Sequence, residues 1–217
     1  MRPLIVTVIL VLLFLLSYKP ADGANWAKIA ERTVESLVKL ETYNYRKGDM
    51  TGLCTAFVID KKEGLAWTAA HCVAHPRNDF ISVPPQIDGI PVVLKGVGPR
   101  YDLSLLQHEA FTKVKRELKW SEGVSIGDDL MLVGFESNHI WGPIVRRGSV
   151  HAVASGWLLA SFMSEGGNSG SPVMDEDGKV VGMAVTTAAF EDVTTILTGD
   201  SMAYAKVLYS IGLHQNK

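Results

Sequence analysis

His71, Asp102 and Ser169 occur in that order along the chain, each inside a short run suited to a separate part of one reaction. Thr68-Ala69-Ala70-His71-Cys72 offers an imidazole on a small, apolar strand end. Asp102 opens the apolar run Leu103-Ser104-Leu105-Leu106, which places its carboxylate at the start of a strand. Gly166-Gly167-Asn168-Ser169-Gly170-Ser171-Pro172 offers a hydroxyl among glycines, where backbone N–H groups can converge. A neutral imidazole can take the proton of a hydroxyl, and a carboxylate on its other nitrogen fixes the tautomer. The hydroxyl then attacks a carbonyl, and the N–H groups stabilise the oxyanion that forms. Asp79 is the one rival for the acid. Taken singly, His71 could be a core residue and Ser169 an ordinary loop serine; their order and spacing together point to acyl-bond hydrolysis.

These residues need rigid elements around them, and the pattern supplies mostly strands. Short β-rich runs separated by Gly, Pro, Asp and Asn fall at Cys54–Ile59, Leu65–Thr68, Phe80–Val83, Val92–Val97, Leu103–Gln107 and Leu130–Phe135. Further runs fall at Val145–Val150, Leu158–Met163, Val180–Thr186 and Val193–Leu197. A short helix leading into a first strand accounts for Ile29, Val34, Leu37, Val38 and Leu40, and a closing helix is expected over 203–213. The fold class is therefore all-β, a barrel or sandwich. The charged stretch 113–125 reads as a connector between a first barrel at about 44–112 and a second at about 126–200. His71 and Asp102 then fall in the first half and Ser169 in the second, with the site in the seam.

The chain has 217 residues, 47% of them hydrophobic and 20% charged, with a net charge of −2. That balance gives no basic surface for nucleic acid. Residues 1–23 stand apart: Met1-Arg2-Pro3, an apolar run from Leu4 to Leu16, then Ala21-Asp22-Gly23 before Ala24. This layout reads as a secretory signal peptide, since a membrane span needs about 20 apolar residues. An uncleaved anchor is the alternative and the only route to a membrane. The expected location is secreted or periplasmic. In an exported chain the two cysteines, Cys54 and Cys72, are expected to pair, stabilising the fold by about 3 kcal/mol; two buried free thiols are the other reading. Metal ligation is not expected of two cysteines without clustered histidines. His75, His108, His139, His151 and His214 are read as structural or exposed.

The three segments resemble the signature segments of chymotrypsin-fold (trypsin-like) serine proteases, over roughly Gly52 to Thr186. The chain looks most like the bacterial-type branch, the HtrA/Deg proteases and the glutamyl endopeptidases. Gly166 to Val173 is similar to the latter, while Gly148 and Ile126-Gly127-Asp128 are more like HtrA. The resemblance implies two antiparallel six-stranded barrels with the site between them. It implies His71 as general base, Asp102 as the orienting acid, Ser169 as nucleophile, and the N–H groups of Gly167 and Ser169 as the oxyanion hole. HtrA proteins usually continue into a peptide-binding PDZ domain, and none is expected here after the closing helix.

Two departures carry information. Asn168 stands where trypsin-like digestive enzymes have the Asp that receives a new N-terminal ammonium, and no Arg/Lys-Ile-Val-Gly-Gly junction is present. No zymogen cleavage beyond signal removal is therefore expected. Met163 stands at the base of the primary specificity pocket where trypsin has Asp. Ala184 stands near the wall position where glutamyl endopeptidases have His, with Thr186 beyond it and Glu165 nearby. Such an uncharged pocket favours small or apolar side chains, because burying an unpaired charge is costly. The expected function is a serine endopeptidase that uses no cofactor, takes protein or peptide substrates and loses activity in acid. A catalytically silent peptide-binding module on the same scaffold and a protease that cuts itself once are the alternatives.

Overall fold

The computed structural model describes residues 24–43, 50–73, 86–98, 102–139, 141–154, 156–187 and 194–198. The expected signal segment, the strand at Phe80–Val83, the closing helix, Asp79, His75 and His214 lie outside the described residues.

Helix α1 (Trp26–Val34) begins at Asn25, whose side chain accepts a hydrogen bond from the Lys28 N–H, the usual N-cap geometry. It buries Ile29 and Thr33, with Ile29 against Gly178, and leads directly into β1 (Leu37–Tyr43). There follow β2 (Met50–Asp60), β3 (Leu65–Ala69) and a single 3₁₀ turn (Ala70–Cys72). The first sheet continues with β4 (Gln86–Ile87), β5 (Ile90–Pro91), β6 (Val93–Gly98) and β7 (Leu103–Gln107). Its strand order is β5-β4-β1-β2-β3-β7-β6, all neighbours antiparallel. Among the described residues it is a barrel-like sheet of seven strands where six were expected. Two of them are the two-residue strands of the hairpin β4–β5, which the sequence pattern does not announce and which turns through Asp88 and Gly89, both at positive φ.

After the short helix α2 (Glu109–Lys113), the second sheet comprises β8 (Asp129–Gly134), β9 (Ile144–Ala154), β10 (Trp157–Ala160), β11 (Pro172–Met174), β12 (Val180–Thr187) and β13 (Thr194–Thr198). These close into a six-stranded barrel. The run expected at Leu158–Met163 stops as a strand at Ala160. β11 escaped sequence reading because it is three residues long and starts on proline, which donates no ladder hydrogen bond.

The side-chain period of two explains why β8 is apolar on consecutive positions. Leu130 and Leu132 fill the closed barrel with Leu158, Phe162 and Ile196. Met131 and Val133 point the other way, into a larger core shared with Phe57, Trp67 and Leu105 of the first sheet. The segment between the sheets stitches them together. Leu118 donates its N–H to Val58, Val180 donates to Lys119, and the Trp120 ring meets Phe57 edge to face. No helix among the described residues is long and apolar enough to cross a membrane.

Candidate active site

His71 sits in the 3₁₀ turn that ends β3, and Asp102 immediately precedes β7, the strand paired with β3. That pairing brings them together. Asp102 Oδ2 lies 2.7 Å from His71 Nδ1, and Oδ1 accepts the His71 backbone N–H at 2.8 Å. The Asp102 carbonyl also accepts the Ala70 N–H at 2.9 Å. One residue thus fixes both the turn and the imidazole-bearing backbone, and its carboxylate engages Nδ1 and leaves Nε2 as the other ring nitrogen. Asp102 adopts φ 51°, a left-handed conformation that few residue types tolerate and Asp tolerates best with Asn.

Cys54 and Cys72 form a disulfide with a Cα–Cα distance of 6.2 Å, tying β2 to the turn that carries His71. A His71 ring nitrogen lies within 4.8 Å of both sulfurs, and Cys72 Sγ lies 4.0 Å from the Ser169 carbonyl oxygen. The bridge is therefore the floor on which the His71 turn and the Ser169 loop meet. Cys54, His71 and Cys72 are the one group among the described residues close enough to share a metal ion. Both sulfurs are committed to each other, so the thiolates such a site needs are missing.

Ser169 lies in the loop between β10 and β11, and the loop is built from the backbone. Gly167 has φ 107°, and a Cβ there would come within 2.8 Å of the Phe135 carbonyl. Gly170 has φ 86°, and a Cβ there would come within 2.0 Å of the Thr55 carbonyl. Only glycine fits at either position. Of the five N–H groups from Gly167 to Ser171, three are used internally: Asn168 donates to Glu165, Gly170 to Ala184, and Ser171 to Asn168. The N–H groups of Gly167 and Ser169 have no partner among the described residues. These are the two expected to form an oxyanion hole. The Gly166 carbonyl accepts the Ser137 N–H at 2.7 Å. In a planar trans peptide the carbonyl and the following N–H point in opposite directions, so this bond turns the Gly167 N–H away from Ser137.

Two residues hold this arrangement from behind. Thr55, fully buried on β2, donates its hydroxyl to the Gly167 carbonyl at 2.9 Å and accepts the Phe135 N–H at 3.0 Å. Its own N–H donates to the Ser169 carbonyl at 2.9 Å. Asn168, also fully buried, accepts the Glu165 N–H at 3.0 Å and donates its amide to the Phe135 carbonyl at 2.9 Å. Sequence reading noticed the uncharged Asn168 but not its two bonds, and missed Thr55 altogether. The one local signal for Thr55 was its place beside Cys54.

The expected specificity residues are more dispersed. Met163 follows β10 and is half-exposed, whereas Ala184 is buried in the core of the closed barrel. The Ala184 backbone pairs with the two residues that follow the serine, accepting from Gly170 and donating to Ser171. Thr186 belongs to β12, and its side chain lies outside the described residues. Of the other histidines, His108 caps α2 by accepting the Ala110 N–H, and His139 faces the carboxylate of Glu136.

Comparison with known proteins agrees with this architecture. A serine endoprotease from Yersinia pestis is similar in structure, with a TM-score of 0.67 and 19% identity, over 86% of this chain and 66% of that one. The Rv3671c protease of M. tuberculosis in its active form gives 0.65 and 20%, over 86% of this chain and 85% of that one. Its inactive form gives 0.63 and 18%, over 93% and 97%. Among curated proteins, the pro-apoptotic serine protease NMA111 of Coccidioides immitis (strain RS) is 24% identical over 185 residues. That match takes in 75% of this chain but only 18% of the fungal protein's length. The profile of the trypsin-like peptidase domain matches residues 54–183, more than half of the chain and all three segments that carry His71, Asp102 and Ser169. By that match, on this fold, the chain belongs to the trypsin-like peptidase domain family.

Proposed function

We propose that the protein is a serine endopeptidase in which Ser169 is the nucleophile, His71 the general base and Asp102 the residue that orients it. Ser169 Oγ attacks the scissile carbonyl while His71 Nε2 takes its proton, and the oxyanion is received by the N–H groups of Gly167 and Ser169. His71 then returns the proton to the departing amine, leaving an acyl-enzyme that water hydrolyses by the same path. The observation that carries this reading is the pattern of N–H use in the serine loop. The two groups the chemistry needs are left without partners, while the N–H groups of Asn168, Gly170 and Ser171 are bonded. Each donor of such a hole contributes about 3 kcal/mol of transition-state stabilisation. Protein or peptide substrates with small or apolar side chains before the scissile bond suit the uncharged, half-exposed Met163. Residues 1–23 are proposed as an export signal, which places the activity outside the cytoplasm.

A second reading, a silent peptide-binding module, draws on one observation. The Ser169 hydroxyl has no hydrogen bond to His71 or to any other described residue. Such contacts often tighten only when substrate arrives. Labelling with a fluorophosphonate probe separates the two readings, with Ser169→Ala and His71→Ala as controls. Labelling in the wild type alone, with hydrolysis of fluorescein-casein, supports the endopeptidase. A folded wild type that resists the probe sinks it in favour of the binding module.

A further inference from the structure

Behind the serine loop, three consecutive residues make a shelf. Phe135 accepts the Asn168 amide and donates to Thr55. Ser137 donates its N–H to the Gly166 carbonyl. Glu136, between them, turns its carboxylate inward until only 3% of the side chain is exposed. Its Oε1 accepts from Arg146 Nε at 2.8 Å and Nη2 at 2.6 Å, and its Oε2 lies 3.5 Å from His139 Nδ1. Arg146 is carried by β9, opposite Leu132 of β8, so its position is fixed by the barrel ladder.

A buried carboxylate is unfavourable unless it is paired, and the pair is seldom worth more than apolar residues of the same volume. Stability is a poor reason for this ion pair. Position is a better one, because the shelf is a loop with no ladder of its own and the Glu136 side chain is its anchor to the barrel. We infer that Glu136 and Arg146 are positioning residues for the oxyanion hole. They hold Ser137 so that its N–H captures the Gly166 carbonyl and keeps the Gly167 N–H directed into the site. Without the pair, the Gly166–Gly167 peptide, flanked by two unrestricted glycines, is free to rotate and withdraw that donor. The inference rests on the reading of Ser169 as nucleophile.

The test uses the full-length protein and p-nitrophenyl acetate, a small ester whose burst phase separates the acylation rate from the binding constant. Glu136→Gln and Arg146→Gln are expected to slow acylation about 10- to 100-fold, part of the effect of deleting one donor, with the binding constant nearly unchanged. Fluorophosphonate labelling should slow in parallel. Both Arg146 nitrogens bond one oxygen, so a point charge can replace them, and Arg146→Lys is expected to recover most of the rate. Thermal melts identify variants that fold, and if Arg146→Gln does not, Glu136→Gln, which keeps the shape of the side chain, carries the test. Folded variants with wild-type acylation, or with a loss confined to binding, overturn the inference. Ser169→Ala runs alongside: residual acylation there would defeat the reading of the nucleophile itself, whereas an inert Ser169→Ala with unaffected Glu136 and Arg146 variants defeats only the positioning role.

Discussion

Asn168→Asp changes one nitrogen to oxygen and places it where the structure is least forgiving. The amide at this position works in both directions, accepting from Glu165 and donating to the Phe135 carbonyl at 2.9 Å, with no exposed surface. A carboxylate keeps the first bond and sets an oxygen against an oxygen in the second. The Phe135 carbonyl then loses a partner, at about 1–3 kcal/mol, and a charge is placed at a fully buried position. A buried charge left uncompensated typically costs about 3–5 kcal/mol, so about 3 kcal/mol is a conservative total. In a chain of this length that lowers Tm by roughly 6–12 °C. Protonation would restore a donor toward Phe135, so the folded state raises the pKa of the new carboxyl above its unfolded value. The variant's deficit is then smallest at low pH and grows as pH rises through that folded-state pKa. Thermal melts from pH 4 to pH 8, with fluorophosphonate labelling at neutral pH, measure both effects. A Tm within 2 °C of wild type at neutral pH, as an experimental margin of roughly half a kcal/mol, together with undiminished labelling, would refute the account of how this loop is held.

Thr55→Val removes the hydroxyl that joins Gly167 to Phe135 while keeping the shape. It should cost about 1–3 kcal/mol in stability and slow labelling, while Thr55→Ser stays near wild type; equal rates for the two variants would contradict it. Reducing the Cys54–Cys72 bridge, which closes a sequence separation of 18 residues, should lower stability by about 3 kcal/mol by denaturant titration, and Cys72→Ala should match it. A chemical midpoint that does not move on reduction would show that the bridge matters only locally.

The parts of the site that local sequence announces are the side chains that would meet substrate. His71, Asp102 and Ser169 each sit in a run whose composition is unusual for its neighbourhood, and β3, β7 and β12 are legible because they are apolar and bounded by turn residues. The parts that hold those side chains are silent for a physical reason: they act through backbone groups far away in the chain. Thr55 reaches Gly167 across 112 positions, and nothing around Thr55 records that its hydroxyl faces a carbonyl. Glu136 lies in Phe135-Glu136-Ser137-Asn138-His139, which reads as an ordinary polar loop. Only the register that sets Arg146 opposite Leu132 reveals where the Glu136 carboxylate finds its partner. Strands β4 and β5 of the first sheet are silent for a different reason, since two-residue strands leave no period to detect.

The Thr55 contact also imposes an order of events on biosynthesis. Its hydroxyl and N–H belong to the first sheet, while the carbonyls of Gly167 and Ser169 belong to a loop translated more than a hundred positions later. The turn proposed to bind the oxyanion has no scaffold until both halves have been made and have docked. An unfolded copy of this chain therefore carries His71, Asp102 and Ser169 but none of the geometry. On the proposed reading, an unfolded copy is inert, and hydrolysis begins only once the two halves have docked.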